Sequence, residues 1–273
     1  MDIDLLGPLA ARQDGVSVTP TAAKPRKLLA MLAMNAGRTV PRRTLFEELW
    51  GDACPRYAHN SLQTYILQLR NLIKAAPDHR HGRDRCDAKR IVVTCQGGYL
   101  LDPMGGRIDV REFDRFAAAG HRAHALGDFE AASRRFTEAM AVWRGPAFVD
   151  VQVGDVLEAE AHRLQEAWLS VLDRRIDADL RLGQHHELLG ELAGMVSKHR
   201  THEGMHAHFM VALYRSGRRC EAIDVYRRLR TLLVDQLGME PSIRLQRLQQ
   251  AILQSDSWLV EHTGEPALVA RAS

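Results

Sequence analysis

The segment NSLQTYILQLRNLIKAA, residues 60–76, decides the fold of the first third of this chain. Its regularly spaced apolar residues lie 4, 3 and 4 positions apart, which is the spacing of one face of an α-helix. These residues are Leu62, Ile66, Leu69 and Ile73. Pro77 follows and ends the helix. The pattern predicts an amphipathic helix that packs one face on a core and leaves the other exposed.

Two shorter helices are predicted on the N-terminal side of this helix. The first runs from Lys24 to Ala36, where Gly37 supplies a C-terminal stop. The second starts at Pro41, a residue suited to the first helical turn, and ends near Trp50. The long amphipathic segment is therefore the third helix.

Strand pairs are predicted on both sides of the three helices. Residues 3–20 alternate weakly in hydropathy around a turn at 14–15, and glycines at 97–98 separate the apolar runs 91–93 and 99–101. Each pattern predicts a hairpin. The order of strands, three helices and a hairpin is the plan of a winged helix, whose third helix most often enters the major groove of DNA.

Positive charge is concentrated in the same part of the chain. The whole chain carries 37 Lys and Arg against 34 Asp and Glu, a net charge of +3. Between Lys24 and Arg90 there are 14 basic and 6 acidic residues, a balance of +8, whereas after Met104 there are 22 and 24. This asymmetry indicates a nucleic-acid-binding module joined to a part that does not touch phosphate.

After Met104 the composition changes to Ala, Leu, Arg and Glu, and helix follows helix to about Leu253. Similar turns recur at Gly127, Gly183 and Gly217, the last two 34 residues apart, which is the tetratricopeptide period. A small residue followed by an aromatic one also recurs, in the pairs Ala132 with Phe136 and Ala222 with Tyr226.

The predicted fold class is mainly α: an N-terminal winged helix-turn-helix of the α+β type, then an all-α tetratricopeptide-like repeat domain. The predicted division is a DNA-binding domain at 1–104, a helical domain at 105–254 and a flexible tail at 255–273.

The first domain resembles a known family. LQTYILQLRNL at 62–72, WGD at 50–52, IVVT at 91–94 and GYLL at 98–101 resemble an OmpR/PhoB-type winged helix of the Streptomyces antibiotic regulatory protein family.

The second domain is similar to the bacterial transcriptional activation domain of the same family. The similarity is carried by WRGP at 143–146, ALYRSGR at 212–218 and LGMEP at 237–241, with Asp109 and Phe113. The resemblance covers residues 3–253 in order.

The resemblance implies a transcriptional activator that binds direct repeats of double-stranded DNA near a promoter, as a homodimer on DNA. It implies recruitment of RNA polymerase holoenzyme with its sigma factor, and target genes of antibiotic or other secondary-metabolite biosynthesis. No enzymatic activity, cofactor or membrane association is expected, and the expected location is the cytoplasm, at the nucleoid. The alternative is a helical-repeat scaffold whose winged helix binds protein.

The third helix holds the residues expected to read bases. Amides suit base edges, since Gln pairs bidentately with adenine, and Thr reaches a base or a thymine methyl. The resemblance assigns this role to Gln63, Thr64 and Gln68. Without the resemblance, an ordinary solvated face explains the same residues.

Phosphate and wing contacts are expected from a second set of residues. These are Ser61, Tyr65, Arg70, Asn71, Arg90, Thr94 and Tyr99. Tyr65 lies beside the apolar stripe and belongs either to the core or to the DNA surface. Leu67 occupies a position where related domains often hold Arg, so one phosphate contact is missing.

The wing departs from the family at its tip. Cys95-Gln96-Gly97 supplies no Arg for the minor groove, whereas Gly98 permits the turn. Arg90 at the base of the wing or the basic stretch 80–90 supplies the missing contact, or that stretch is a solvated loop.

The loop 51–58 matches the family's polymerase-contacting loop. Pro55 stiffens it, and Asp52, Arg56 and Tyr57 supply projecting groups. The alternative is a plain connector.

Metal and catalytic chemistry are weighed against structural roles. HEGMH at 202–206 fits the zinc-protease motif HExxH, but Gly204 weakens a helix and the segment aligns with a helix of the activation domain, so we expect no zinc site. His79 and His81 with Cys86 and Cys95 match no known metal-site spacing. No catalytic residue or metal ligand is predicted.

Overall fold

The computed structural model describes residues 1–76 and 88–256. The chain divides into two compact units, each built from two separate stretches. The first unit holds Met1–Phe116 and Glu138–Leu169, and the second holds Ala117–Thr137 and the residues from Ser170 onward. The two units are defined by which residues pack together. The division into domains predicted after Met104 stays a prediction. The predicted tail beyond Asp256 lies outside the described residues.

The secondary structure is as follows. The winged-helix elements are β1 (Asp2–Asp4), β2 (Ala10–Gln13), β3 (Val16–Ser17), α1 (Ala23–Met34), β4 (Val40–Pro41), α2 (Arg42–Trp50), α3 (Ala58–Ala75), α4 (Ala88–Ile91), β5 (Val92–Cys95) and β6 (Gly98–Leu101). The helices that follow are α5 (Asp109–Ala125), α6 (Phe129–Ala141), α7 (Asp155–Arg181), α8 (His185–Lys198), α9 (Glu203–Arg215), α10 (Arg219–Leu237) and α11 (Ile243–Gln254).

The first strands form the predicted hairpin. The order is β1-β2-β3, antiparallel throughout, and Gln13 pairs with Val16 across a two-residue turn. Asp14 and Gly15 both have positive φ, 48° and 85°. A two-residue hairpin turn with positive φ at both of its residues has a backbone twist that matches the twist of the flanking strands.

The second sheet has the order β4-β6-β5, also antiparallel, and contains the wing. Cys95 pairs with Gly98, so Gln96 and Gly97 form the turn. A Cβ on Gly98 would lie 2.1 Å from the Val40 carbonyl oxygen, and only glycine allows β4 to approach β6 this closely.

The helix predictions are confirmed with small shifts at their ends. The third helix begins two residues before the predicted Asn60, and Pro77 follows Ala76, which is extended. The prediction that the second helix starts at Pro41 is wrong by one residue, because Pro41 pairs in β4 and caps α2. The strand predicted from Ile91 begins at Val92, since Ile91 ends α4.

The core beneath the third helix is apolar. Helices α1 and α3 contact each other, and α1 contributes the fully buried Leu28 and Leu32. The four residues spaced 4, 3 and 4 apart on α3 are all buried, as predicted. Burial of one face therefore fixes which residues of α3 remain available to a partner.

The second unit repeats one turn three times. Gly127, Gly183 and Gly217 have φ of 78°, 79° and 76°. In each case the next residue donates its backbone N–H to a carbonyl five positions earlier, as in the Schellman motif that closes helices at a left-handed glycine. The three donors are Asp128, Gln184 and Arg218, at 3.0, 3.0 and 2.9 Å.

The predicted repeat is thus confirmed at the level of backbone geometry. The recurring pairs pack as expected: Ala132, Phe136, Ala222 and Tyr226 are all buried. The predicted fold class, a winged helix-turn-helix followed by a tetratricopeptide-like helical domain, is confirmed. None of the helices in the described ranges has the length and hydropathy required to cross a bilayer.

Candidate nucleic-acid interface

The exposed face of α3 is polar and rich in amides. Gln63, Thr64, Gln68 and Asn71 are all exposed, and Ser61 is half-buried. Residues three or four apart share a face of a helix, and the buried row of α3 takes up one face. The polar side chains therefore lie on the remaining sides of the helix. The helix therefore presents hydrogen-bonding groups on the side that the core does not use.

Some of these side chains have partners within the helix. The Thr64 hydroxyl donates to the Asn60 carbonyl at 3.0 Å, and the Gln63 amide lies 3.1 Å from the His59 imidazole. Among the described residues, none of the hydrogen bonds involves the Gln68 amide. With respect to residues 1–76 and 88–256, the donor and acceptor groups of the Gln68 amide are thus available to a partner molecule.

Tyr65 has contacts on the protein side. It is half-buried, and its ring stacks on Trp50 with centroids 6.3 Å apart and planes 23° apart. The Lys24 ammonium lies 4.7 Å from the Trp50 ring centroid and donates to the Leu49 carbonyl at the end of α2. Burial, then the charge of Lys27, lowers the pKa of Lys24. This aromatic stack joins α3 to α2.

Arg70 connects α3 to the wing. Its guanidinium donates to the Val92 carbonyl at 2.6 and 3.0 Å and to the Thr94 hydroxyl at 2.9 Å. Both acceptors are on β5, and Arg70 itself is half-buried. The guanidinium therefore fixes the position of the wing relative to the recognition helix.

The predicted wing residues differ in exposure. Thr94 and Arg90 are exposed, whereas Tyr99 is 3% exposed and belongs to the core of the second sheet. Residues 80–87 of the basic stretch, with His79, His81 and Cys86, lie outside the described residues. Cys95 lies in β5 as a free thiol.

The loop between α2 and α3 is exposed at its projecting groups. Asp52 and Arg56 are exposed, Tyr57 is 68% exposed, and Pro55 is half-buried. The Pro55 carbonyl accepts the Ala58 N–H at 2.9 Å, which ties the loop to the first turn of α3. The loop thus presents an aromatic ring and a guanidinium beside the recognition helix.

The HExxH residues are engaged in the structure of α9. His202 caps the helix by accepting the Met205 N–H at 3.2 Å, and Glu203 accepts the Ser242 N–H at 2.9 Å. His206 is buried, and its imidazole contacts the His202 carbonyl at 3.2 Å. Within the described ranges, no three His, Cys, Asp or Glu side chains form a group that could hold a metal ion.

One buried carboxylate was not singled out from the sequence. Glu48 is 2% exposed and accepts backbone N–H groups from Gly154, Val156 and Leu157 at 2.6, 3.0 and 3.1 Å. A carboxylate satisfies the free amides at the start of α7 and suits the positive end of that helix. Helical spacing places Glu48 three positions after the buried Leu45, but nothing in the local sequence indicates the amides that it accepts.

A second buried carboxylate, Asp109, was noted only through the family resemblance. It is fully buried and accepts the N–H groups of Leu5 and Leu6 at 2.6 and 2.7 Å. Burial raises the pKa of Asp109, although these backbone hydrogen bonds oppose the rise. Glu48 and Asp109 together attach residues 105–116 and 138–169 to the winged helix within the first unit.

Comparisons with known proteins agree with this architecture. Residues 16–101 match the model of the transcriptional regulatory protein C-terminal family, and residues 108–253 match the bacterial transcriptional activator domain. The fold and these matches define a transcriptional regulator with a winged-helix DNA-binding domain.

The relatives narrow this class. Regulatory protein DnrI of Streptomyces peucetius is 47% identical over 256 residues, which cover 94% of this chain and 93% of DnrI. Regulatory protein AfsR of Streptomyces coelicolor is 33% identical over 98% of this chain but only 26% of AfsR. The chain belongs to the Streptomyces antibiotic regulatory protein family.

A solved structure has the same fold. It is described as Mycobacterium tuberculosis EmbR in complex with a low-affinity phosphopeptide, and it is 31% identical in sequence with a TM-score of 0.85. The similarity covers 93% of this chain and 65% of the EmbR chain.

Proposed function

We propose that this transcriptional regulator activates its genes by binding direct repeats of double-stranded DNA near a promoter and recruiting RNA polymerase holoenzyme. The exposed amide-rich face of α3 carries the proposal. It is the part of a winged helix that reads the major groove, and its polar groups are free of the core. Binding at the nucleoid, in the cytoplasm, is part of this proposal.

Base recognition is assigned to Gln63, Thr64 and Gln68. A glutamine amide donates to and accepts from the two groups that adenine displays in the major groove. Gln68 supports this role best, because it is exposed and its amide has no hydrogen bond to any of the residues that the structure describes. Gln63 would exchange its contact with His59 for one with DNA.

Phosphate contact is assigned to the residues that flank this face and to the wing. Asn71, Arg90 and Thr94 are exposed and suit direct contacts, although the Thr94 hydroxyl also accepts a hydrogen bond from Arg70. Ser61 is half-buried at the start of α3. The remaining three have structural partners, so their contribution includes holding the surface in shape. These are Tyr65 through Trp50, Arg70 through β5, and Tyr99 through the sheet core.

The loop from Gly51 to Ala58, whose last residue begins α3, is proposed as the polymerase contact. Asp52, Arg56 and Tyr57 project from a short loop stiffened by Pro55, and exposed aromatic and arginine side chains are enriched at protein interfaces. The sigma factor is included among the proposed contacts. The helical domain, with its repeated turns, suits contacts with other proteins.

A binding experiment separates the activator from the protein-binding scaffold. The full chain should bind a duplex selected from a random-sequence library, and the affinity should fall steeply with salt, because basic side chains displace counterions from phosphate. Absence of duplex binding at low salt would favour the scaffold.

Single substitutions then test the division of roles. Gln68→Ala should relax discrimination at one base position by about 1–3 kcal/mol. Arg70→Ala should weaken binding to every sequence, because it loosens the wing, and should keep the discrimination at the base position that Gln68 reads. Equal losses on every sequence with Gln68→Ala would remove its assigned role.

The loop is tested by replacing Pro55 and Arg56 together with alanine. Transcription from a promoter carrying the selected repeats should fall, while duplex affinity should stay within about twofold. Unchanged transcription with intact DNA binding would contradict the loop assignment.

A further inference from the structure

One residue on the exposed face of α3 does not fit a polar surface. Asn60, Thr64, Leu67 and Asn71 are spaced 4, 3 and 4 apart and are all exposed. Leu67 is 57% exposed, compared with 38% for Leu72 on the same helix. An isobutyl side chain therefore stands in the middle of the surface that would face the bases.

Isolated exposed leucines need no explanation on an ordinary surface. Here the position matters, since Gln63, Thr64, Gln68 and Asn71 surround Leu67 on the helix. A leucine cannot contact a phosphate favourably, because it has no donor and no charge. A partner for it must be an apolar group reached from the major groove.

The major groove displays one such group. Thymine presents its C5-methyl there, whereas the other base edges present donors and acceptors. Thr64 strengthens the match, because its hydroxyl hydrogen is already given to the Asn60 carbonyl at 3.0 Å. The available surface of Thr64 is then a methyl group and acceptor lone pairs.

We propose that Leu67 is a specificity-determining residue that contacts the C5-methyl of a thymine in each DNA repeat. This inference rests on the proposed function, since it requires α3 to enter the major groove. The sequence alone indicated only a missing phosphate contact at Leu67. The proposal gives this residue a role in reading a base instead. The contact selects thymine over cytosine without any hydrogen bond from Leu67.

Uracil substitution tests the contact directly. Uracil differs from thymine only by the missing C5-methyl, so base pairing is preserved. Each thymine of the selected duplex is replaced in turn, and the Kd of the full chain is measured at fixed salt. One thymine in the repeat should respond, with a Kd about fourfold higher, the value expected for one buried methyl group.

Variants show whether Leu67 causes this response. Leu67→Ala should bind the thymine duplex about fourfold or more weakly and should lose sensitivity at that thymine. Leu72→Ala is the matched control, since it truncates the same side chain on the same helix away from the outer row. Here the outer row is Asn60, Thr64, Leu67 and Asn71. For Leu72→Ala, the same thymine-to-uracil replacement should raise the Kd about as much as it does for the wild-type chain.

The outcomes separate this inference from the proposed function. Duplex binding in which no thymine responds to uracil, or in which Leu67→Ala responds like wild type, would overturn the role of Leu67 and leave DNA binding intact. Failure of the wild-type chain to bind any duplex would overturn both. Loss of the response in Leu72→Ala as well as Leu67→Ala would show a helix effect and would also overturn the assignment.

Discussion

In the two compact units, the carboxylates of Glu48, Asp109, Asp177 and Asp173 lie at very different distances along the chain from their hydrogen-bond partners. In the first unit, Glu48 accepts amides 106, 108 and 109 positions away, and Asp109 accepts amides 103 and 104 positions away. In the second unit, Asp177 contacts His124, 53 positions away, and Asp173 contacts His208, 35 positions away.

The chemistry of the contacts also differs. Glu48 and Asp109 accept backbone amides, and these contacts form only when two distant stretches have both adopted their folds. Asp177 and Asp173 contact side chains on helices of nearby repeats. Helical repeats bury their surface against neighbours, whereas the first unit requires contacts of high sequence separation. Substitutions should therefore have their largest effects in the first unit.

The largest effect is expected from Glu48→Ala. The change leaves three amide groups at the start of α7 without their acceptor, so the free energy of unfolding should fall by about 2–5 kcal/mol. Denaturant unfolding measures the loss. Hydrogen exchange of the Gly154, Val156 and Leu157 amides should become faster.

Glu47→Ala is the matched control for Glu48. Its carboxylate is 52% exposed and pairs with Arg43 at 2.8 Å on the surface of α2. A surface pair of this kind contributes about 0–1 kcal/mol. Equal losses from the two substitutions would show that the buried carboxylate has no special role.

A smaller effect is expected in the second unit from Asp177→Asn. Asp177 accepts hydrogen bonds from His124 at 2.7 Å and Arg181 at 2.9 Å. Burial favours a higher pKa, but Arg181 and the His124 hydrogen bond outweigh it and lower the pKa of Asp177. We expect a loss of about 1–3 kcal/mol in the free energy of unfolding near neutral pH.

The sign of this pKa shift sets the pH dependence. A lowered carboxyl pKa stabilises the fold above its unfolded value of about 3.9, and the contribution is lost as the pH falls through the folded value. The gap between wild type and Asp177→Asn should therefore narrow in acid. Asp224→Asn, which changes an exposed carboxylate 3.3 Å from Arg227, is the control. A gap that is constant with pH would contradict the lowered pKa.

The smallest effect concerns His206. Burial is the largest cause that lowers its pKa; the hydrogen bond with the His202 carbonyl opposes it, and nearby charges come from His202, Glu203 and Arg228. A lowered histidine pKa means that stability is present above the unfolded value of about 6.5 and is lost as the pH falls below it.

The free energy of unfolding of the second unit should therefore decrease as the pH falls from 7 to 5, the slope from this group being at most about 1.4 kcal/mol per pH unit. His206→Gln should reduce that slope. His59→Gln, on an exposed histidine of α3, controls for the loss of a histidine as such. An unchanged slope in His206→Gln would exclude this residue as the source.

Much of the fold was predictable from local patterns. The spacing of Leu62, Ile66, Leu69 and Ile73 was sufficient for α3, because helix periodicity and burial act over one turn. The turns at Gly183 and Gly217 were also visible, since a left-handed backbone strongly favours glycine. These features depend on neighbours in sequence.

The candidate site was predictable only in part. The exposure of Gln63, Thr64 and Gln68 follows from the same periodicity. The contacts of Arg70 with β5 depend on a strand 22 and 24 positions away, and a guanidinium gives no local sign of its partner. The partners of Glu48 were not predictable, because the amides that it accepts lie more than 100 positions further along.

The bonds of Arg70 to Val92 and Thr94 have a consequence for the DNA. They hold the recognition helix and the wing at a fixed separation, so the two elements can contact DNA together only where the duplex fits that separation. A DNA site whose grooves already match that separation needs little bending or twisting. A site whose grooves do not match must be deformed, at a cost in free energy that rises with the stiffness of its sequence. Base steps that no side chain touches would then contribute to selection through the width and stiffness of the helix they form.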